Sequence, residues 1–274
     1  MDSISFQKFT GAGNDFIIID GFKLTAADIE RVILNIPQLC VRGTGIGADG
    51  LIIILKDNEY DFQMRYFNSD GSEAEMCGNG GRCVSMFAFR EGYSKENMKF
   101  RAISGIYSAE IIGEAVKLQM QDSEYPTKKN IQITNFTVKG YFLIAGVPHF
   151  VIFQNENPDL NSDEINSWAK EIRFHKEFSP AGTNVNILKI IDKNNLIIKT
   201  YERGVEEETL ACGTGSTASG IISTVIGVTE SPVYLKTKSG LTLTVELKLE
   251  KDKITDIFLT GEARLVYKGN LSIA

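Results

Sequence analysis

Histidine is nearly absent from this chain: His149 and His175 are the only two in 274 residues. There are four cysteines and no Cys-x-x-Cys pair, which leaves little from which to build a zinc site. Four cysteines over this length are not a disulfide framework either. There is no basic tail or basic cluster, and the formal charge of -6 speaks against a nucleic-acid partner. Apolar runs such as Phe16 to Ile19 and Leu51 to Leu55 have the length of strands, far short of the roughly 20 residues that cross a bilayer. The first residues lack a charged segment leading into a long apolar one, so a cytoplasmic protein without a signal peptide is expected. No lysine motif for pyridoxal phosphate is recognisable. The spacing of Gly43, Gly45 and Gly47 fits neither the dinucleotide nor the phosphate-loop pattern. Chemistry without a metal or cofactor is the expectation.

What is present is a segment that occurs twice. Met64-Arg65-Tyr66-Phe67-Asn68 leads through an acidic loop to Met76-Cys77-Gly78-Asn79-Gly80, and Ile198 to Arg203 leads likewise to Ala211-Cys212-Gly213-Thr214-Gly215. Each copy reads as a strand, a polar loop, and Cys-Gly-x-Gly at the start of a helix. Other landmarks keep nearly the same offset: Asp15-Phe16 with His149-Phe150, Leu51-Ile52 with Ile187-Leu188, and Asn68 with Glu202. An internal duplication follows. The stretches after the two cysteines, Val84 to Phe89 and Thr217 to Ile222, carry no charge on any face, so each helix is expected to be buried on all sides. Strand-like runs greatly outnumber helical ones. The fold expected is therefore α/β (α+β): two pseudo-symmetric domains, each a mostly antiparallel sheet or barrel wrapped around a central helix. Thr25 is read as the N-cap of a helix of about three turns ending before Pro37, and Ser123 to Gln132 as the linker between halves.

A thiol at a helix N-terminus sits beside backbone N–H groups that have no helical partner, in a field that favours negative charge. Its pKa is thereby drawn down from about 8.5 toward neutrality. The glycines after each cysteine leave the N–H groups open to a carboxylate. Two chemically identical acid–base groups are what stereoinversion needs: one thiolate removes a proton from carbon and the other thiol returns one to the opposite face. Alternative readings stand beside this one. Cys40 and Cys83 read as small core residues. His149 could simply end a strand, Asn14 and Asn184 suit turns for backbone reasons, and Glu202 with Arg203 could be a solvated ion pair.

The chain resembles the diaminopimelate epimerase family along nearly its whole length. The matching stretches are Gly11 to Phe16, Gly45 to Gly50, Phe67 to Gly80, Pro148-His149, Thr183 to Asn186, Tyr201 to Gly204 and Thr209 to Gly215. The resemblance implies cofactor-independent interconversion of LL- and meso-diaminopimelate in lysine and cell-wall precursor synthesis. Cys77 and Cys212 would be the acid–base pair, and His149 and Glu202 would tune their protonation. Substrate would be held at Asn14, Asn68, Gly78, Asn79, Asn184, Glu202, Arg203, Gly213 and Thr214. It further implies a homodimer. One domain would span residues 1–122, joined by 263–274 where the last strand returns to the first, and the other 123–262. Gly50 and Val147 depart from the family pattern, where many members have Gln and Asn, and this bears on how the distal end of the substrate is gripped. A racemase of the same fold acting on proline, hydroxyproline or histidine is the second reading. A non-catalytic binding protein or thiol switch is the third.

Overall fold

The computed structural model describes residues 3–272. The chain forms two compact units: one runs to Gln119 and takes in the segment from Gly261 onward, the other is Met120–Thr260.

In the first unit, β1 (Ile4–Gly11) and β2 (Asn14–Asp20) form a hairpin. β3 (Gly50–Leu55) runs parallel to β2, and β4 (Phe62–Asn68) returns antiparallel to β3. The two-residue strand β5 (Glu73–Ala74) folds back on β4 before α3 (Gly78–Arg90). β6 (Asn97–Ala102) lies parallel to β4, and β7 (Gly105–Ile112) and β8 (Ala115–Gln119) continue as a meander. α3 packs against β1, β2, β3, β4, β7 and β8. On the other face of the sheet, α1 (Ala26–Leu34) and α2 (Ile36–Cys40) bury Val32, Ile36 and Leu39 against Ile17, Ile19, Leu51 and Ile53. β2 and β3 are covered on both faces, which is why they read as continuous apolar runs rather than alternating ones.

The second unit repeats the plan. β10 (Thr137–Ala145), β11 (Val147–Phe153), β12 (Asn184–Ile190) and β13 (Asn195–Tyr201) pair in the same antiparallel, parallel, antiparallel order as β1 to β4. β14 (Glu208–Thr209) folds back on β13 as β5 does on β4, and α5 (Gly213–Val225) follows. β15 (Val233–Lys236), β16 (Thr242–Leu249) and β17 (Ile254–Glu262) complete the sheet. α5 packs on β10, β11, β12, β15 and β16, while α4 (Ile165–Arg173) covers the outer face of β12 and β13 with Ile165, Trp168, Ala169 and Ile172. The expected mixed fold, with a mostly antiparallel sheet around a buried central helix in each of two similar units, is what the chain adopts. One slot is filled differently in the two units. β9 (Thr127–Gln132) precedes β10 and pairs with it, whereas β18 (Arg264–Leu271), at the far end of the chain, occupies the matching place against β1.

Several local expectations need correction. The Ser123 to Gln132 segment is not simply a linker, since its second half is β9. The first helix is not continuous to Pro37: α1 stops at Leu34, and Pro37 lies in the first turn of α2, where a missing N–H costs nothing. Thr25 does cap α1, in a capping box with Asp28. The strand registers also revise the repeat. Leu51 pairs with Phe67 and Val185 with Tyr201, so Leu51 corresponds to Val185 (185 − 51 = 134) rather than to Ile187. Phe16 lies opposite Gly50 and His149 opposite Asn184, so His149 stands in the place of Phe16 rather than Asp15. The cause is the turn: two residues separate β1 from β2 and one separates β10 from β11. Among the described residues no helix is long and apolar enough to cross a membrane.

Candidate functional site

Each unit builds one cysteine-capped helix, and the two caps match closely. Cys77 is the N-cap of α3 in extended conformation (φ −131°, ψ 120°), and Cys212 is the N-cap of α5 (φ −123°, ψ 116°). The Cys77 sulfur accepts the Gly80 N–H at 3.4 Å and the Cys212 sulfur the Gly215 N–H at 3.4 Å. The thiol thus takes the role a serine or aspartate oxygen fills in an ordinary cap. The amides of Gly78 and Asn79, and of Gly213 and Thr214, precede any helical acceptor, so both helix ends present donors suited to a carboxylate. Cys77 is half-buried and Cys212 buried, and neither is in a disulfide. The third residue of each helix is a glycine, tightly confined in α5 and less so in α3. A Cβ on Gly215 would lie 2.4 Å from Asn186 Oδ1, and one on Gly80 3.2 Å from Ile52 Cδ1.

Behind Cys77 lies a charged and amide-rich layer. Asn79 donates to Asn14 Oδ1, and Asn14 donates to Asp49 Oδ2 at 3.0 Å. Asp49 also accepts from Arg42 at 2.7 Å, and Arg42 clasps Asp15 through both terminal nitrogens. Lys8 is 3.0 Å from Asp15 and donates to the Gly47 carbonyl. Burial pushes the Asp15 carboxyl up, but Arg42 and Lys8 more than offset it and hold it below the usual carboxylate range. These pairs tie down the glycine-rich loop before β3, so its role is to position Asn14 and Asp49. Asn68, at the end of β4, donates to the Ser72 hydroxyl at 3.1 Å. Gly50 has no space for a longer side chain: a Cβ there would lie 2.5 Å from the Phe67 carbonyl and 2.7 Å from the Tyr66 ring.

Behind Cys212 the layer is neutral. His149 is fully buried, and burial, aided by the Arg203 charge, pulls its pKa down to about 3. Its Nδ1 is 3.1 Å from Asn186 Nδ2, and Asn186 Oδ1 accepts the Thr200 hydroxyl at 2.9 Å. With the Asn186 nitrogen facing the ring, Nδ1 is the acceptor and the ring proton resides on Nε2, which has no partner. His149 therefore brings a fixed dipole, not a charge. Asn184 accepts the Arg203 N–H at 2.7 Å and donates to the Pro148 carbonyl at 3.1 Å, so it pins Arg203 to β11. Glu202 begins the turn through which its carbonyl accepts the Glu206 N–H at 2.8 Å. Thr214 places its hydroxyl 3.4 Å from the Cys212 sulfur.

Within the first unit the structure gathers Cys77, Gly78, Asn79 and Asn14 around the start of α3. Within the second, Cys212, Gly213 and Thr214 share the start of α5, while Asn184 joins Arg203 to the strand that carries His149. Sequence reasoning missed Arg82, Asp49, Asn186 and Thr200. The signal for two of them was a polar residue inside an apolar run: Arg82 in the helix after Cys77, and Asn186 between Val185 and Ile187. Burial holds Cys83 far above the ordinary thiol range and Cys40 at about 11, so both stay protonated.

Known proteins share both the sequence and the fold. The family model for diaminopimelate epimerase matches residues 6–125 and 141–266. The diaminopimelate epimerase of Aquifex aeolicus is 41% identical over 279 residues, 98% of each chain. That of Archaeoglobus fulgidus is 38% identical over 283 residues, covering 98% of this chain and 97% of its own. Among solved structures, a probable proline racemase from Agrobacterium radiobacter with bound carbonate superposes with a TM-score of 0.76 at 13% identity, over 99% of this chain and 93% of that one. A hydroxyproline epimerase from Agrobacterium vitis with bound trans-4-hydroxy-L-proline gives 0.74 at 13% identity, over 98% and 92%. At such identities these two structures establish a shared fold alone.

Proposed function

The chain belongs to the diaminopimelate epimerase family and is an isomerase, and from that premise we propose that it interconverts LL- and meso-diaminopimelate by proton transfer between two thiols, without a cofactor. The observation that carries this reading is the matched pair of caps: Cys77 and Cys212, each 3.4 Å from the third amide of its helix. Inversion at carbon is symmetric in its demands, since whichever face loses the proton, the other must gain one. A thiolate at one cap removes the α-proton and a thiol at the other delivers one, and in the reverse direction they exchange roles. The α-hydrogen is far less acidic than either thiol, so the charge that develops on the carboxylate needs donors already in place. The first-turn amides at 78–79 and 213–214 supply them. The neutral His149 ring brings a dipole and no charge to the layer behind Cys212. Asn14, Asn68, Asn184, Glu202 and Arg203 recognise the rest of the substrate. A homodimer in the cytoplasm goes with this assignment, and sedimentation of the purified protein checks the dimer.

The reading is tested by incubating the reduced protein with LL-diaminopimelate in heavy water. Meso product carrying deuterium at the inverted α-carbon is expected. Absence of both exchange and inversion, or turnover of proline or hydroxyproline in preference, would overturn it.

A further inference from the structure

Arg82 is the single charged residue between Gly78 and Ala88 in α3, and it is fully buried. Among the described residues no carboxylate pairs with it. Its Nη1 donates to the Gly78 carbonyl at 3.3 Å and its Nη2 to Asn79 Oδ1 at 2.8 Å, while its Nε is buried without a partner. A buried guanidinium with an unsatisfied donor is a poor way to stabilise a core, since an apolar side chain of similar size does so without the desolvation penalty. The hydrogen bonds that continue from it indicate another role. Asn79 Nδ2 donates to Asn14 Oδ1, and Asn14 Nδ2 donates to Asp49 Oδ2 at 3.0 Å. A guanidinium can only donate and a carboxylate can only accept. The two amides strung between them consequently have one orientation, each oxygen toward Arg82 and each nitrogen toward Asp49. Each oxygen already accepts one of these bonds, and each nitrogen keeps a second N–H to offer.

We propose that Arg82 is a positioning residue of the first half-site: acting against Asp49, it fixes Asn14 and Asn79 with their N–H groups available, so that this half-site favours a substrate carboxylate over an ammonium group. The polarity is independent of any substrate. The consequence for turnover rests on the function proposed above. Arg82 acts through the two amides.

Steady-state kinetics on LL-diaminopimelate and thermal unfolding of the wild type, Arg82→Lys, Arg82→Met and Asp49→Asn test this. Arg82→Met, which removes the donor-only end, should raise KM about tenfold or more while changing kcat less. Arg82→Lys keeps a donor-only end and should stay within about threefold of wild type in KM. Asp49→Asn frees the other end and should raise KM a few-fold, with a small loss of melting temperature from the broken Arg42 pair. Equal loss of melting temperature in the Lys and Met variants with KM unmoved would overturn the proposal, leaving Arg82 a packing residue. If the Met variant fails to fold, an unchanged KM in Asp49→Asn overturns it equally. If the wild type does not act on diaminopimelate, the functional reading fails separately. The polarity is then judged by neutron diffraction from wild-type crystals exchanged into heavy water. Deuterons on Asn79 Nδ2 facing Asn14 and on Asn14 Nδ2 facing Asp49 sustain it, and either amide found reversed overturns it.

Discussion

The two half-sites agree at the sulfur and disagree one layer behind it. Both cysteines cap their helices with the same geometry, and in both the third helical residue is a glycine pressed by a side chain of the neighbouring strand. Five residues past each cysteine the units part (82 − 77 = 5, 217 − 212 = 5). The first has the buried Arg82, and the second has Thr217, whose hydroxyl turns back to the Gly213 carbonyl at 3.0 Å. Ile52 abuts Gly80 where Asn186 abuts Gly215, and Phe16 fills the place of His149. On the function proposed above, duplication has kept what proton transfer would require and changed what recognition would require: a substrate with two ends to be told apart would gain nothing from identical second layers.

The most severe way to break the symmetry is to remove one sulfur. Cys77→Ala and Cys212→Ala are each expected to lose about a thousandfold or more in kcat, the usual worth of a positioned acid–base group. The two variants should then differ in a complementary way. One retains slow α-deuterium exchange from the LL-isomer and the other from the meso-isomer, because each keeps the base for one face. Mass spectrometry of recovered substrate reads this directly. Two variants with the same exchange pattern, or either with wild-type turnover, would remove the basis for a two-thiol reaction.

A smaller effect separates the glycines. Gly215→Ala puts a methyl 2.4 Å from Asn186 Oδ1, a group held by both His149 and Thr200, so it cannot yield cheaply. Gly80→Ala meets the Ile52 methyl at 3.2 Å, the end of a side chain free to move a few tenths of an ångström. Denaturant unfolding should show about 2 kcal/mol lost for Gly215→Ala and under about 1 kcal/mol for Gly80→Ala. Equal losses would mean that the two helix entries are packed alike after all.

What could be read from the sequence follows from the range of the interactions involved. The Cys-Gly-x-Gly pair, the Thr25 cap and the uncharged stretches that follow the cysteines are local patterns, and each announces its structure within a few residues. β9 announces nothing, because of Thr127–Gln132 only Ile131 is buried, and the strand exists by pairing with β10. Sequence patterning leaves the correspondence of β3 and β12 two residues off, because apolar runs covered on both faces carry no alternation to fix it. Arg82 bonds within its own helical turn, to Gly78 and Asn79, but the groups that give it a role, Asn14 and Asp49, lie far along the chain, as does the partner of Asn186. Asp49 is 35 residues from Asn14, and Asn186 is 37 from His149. A polar residue inside an apolar run marks that something is required there, but only the fold supplies the partner.

The mildest of the three effects concerns the ring that replaces Phe16. An unfolded histidine has a pKa near 6.5, and in the fold burial brings that of His149 down to about 3. Between those values the unfolded chain binds a proton that the native protein refuses, so His149 lets stability rise with pH across this window. The contribution is complete above pH 6.5 and is lost as pH falls toward 3, with a slope of at most about 1.4 kcal/mol per pH unit. His149→Phe puts into the second unit the residue that the first already tolerates at that place. It should unfold more readily at pH 7.5, since Asn186 loses its partner, yet depend less on pH between 7 and 5. Urea titrations of the wild type and the variant at several pH values give both quantities. A variant whose pH slope equals that of the wild type would show that the ring charges without penalty in the folded protein, and the contrast between a charged layer behind Cys77 and a neutral one behind Cys212 would not hold.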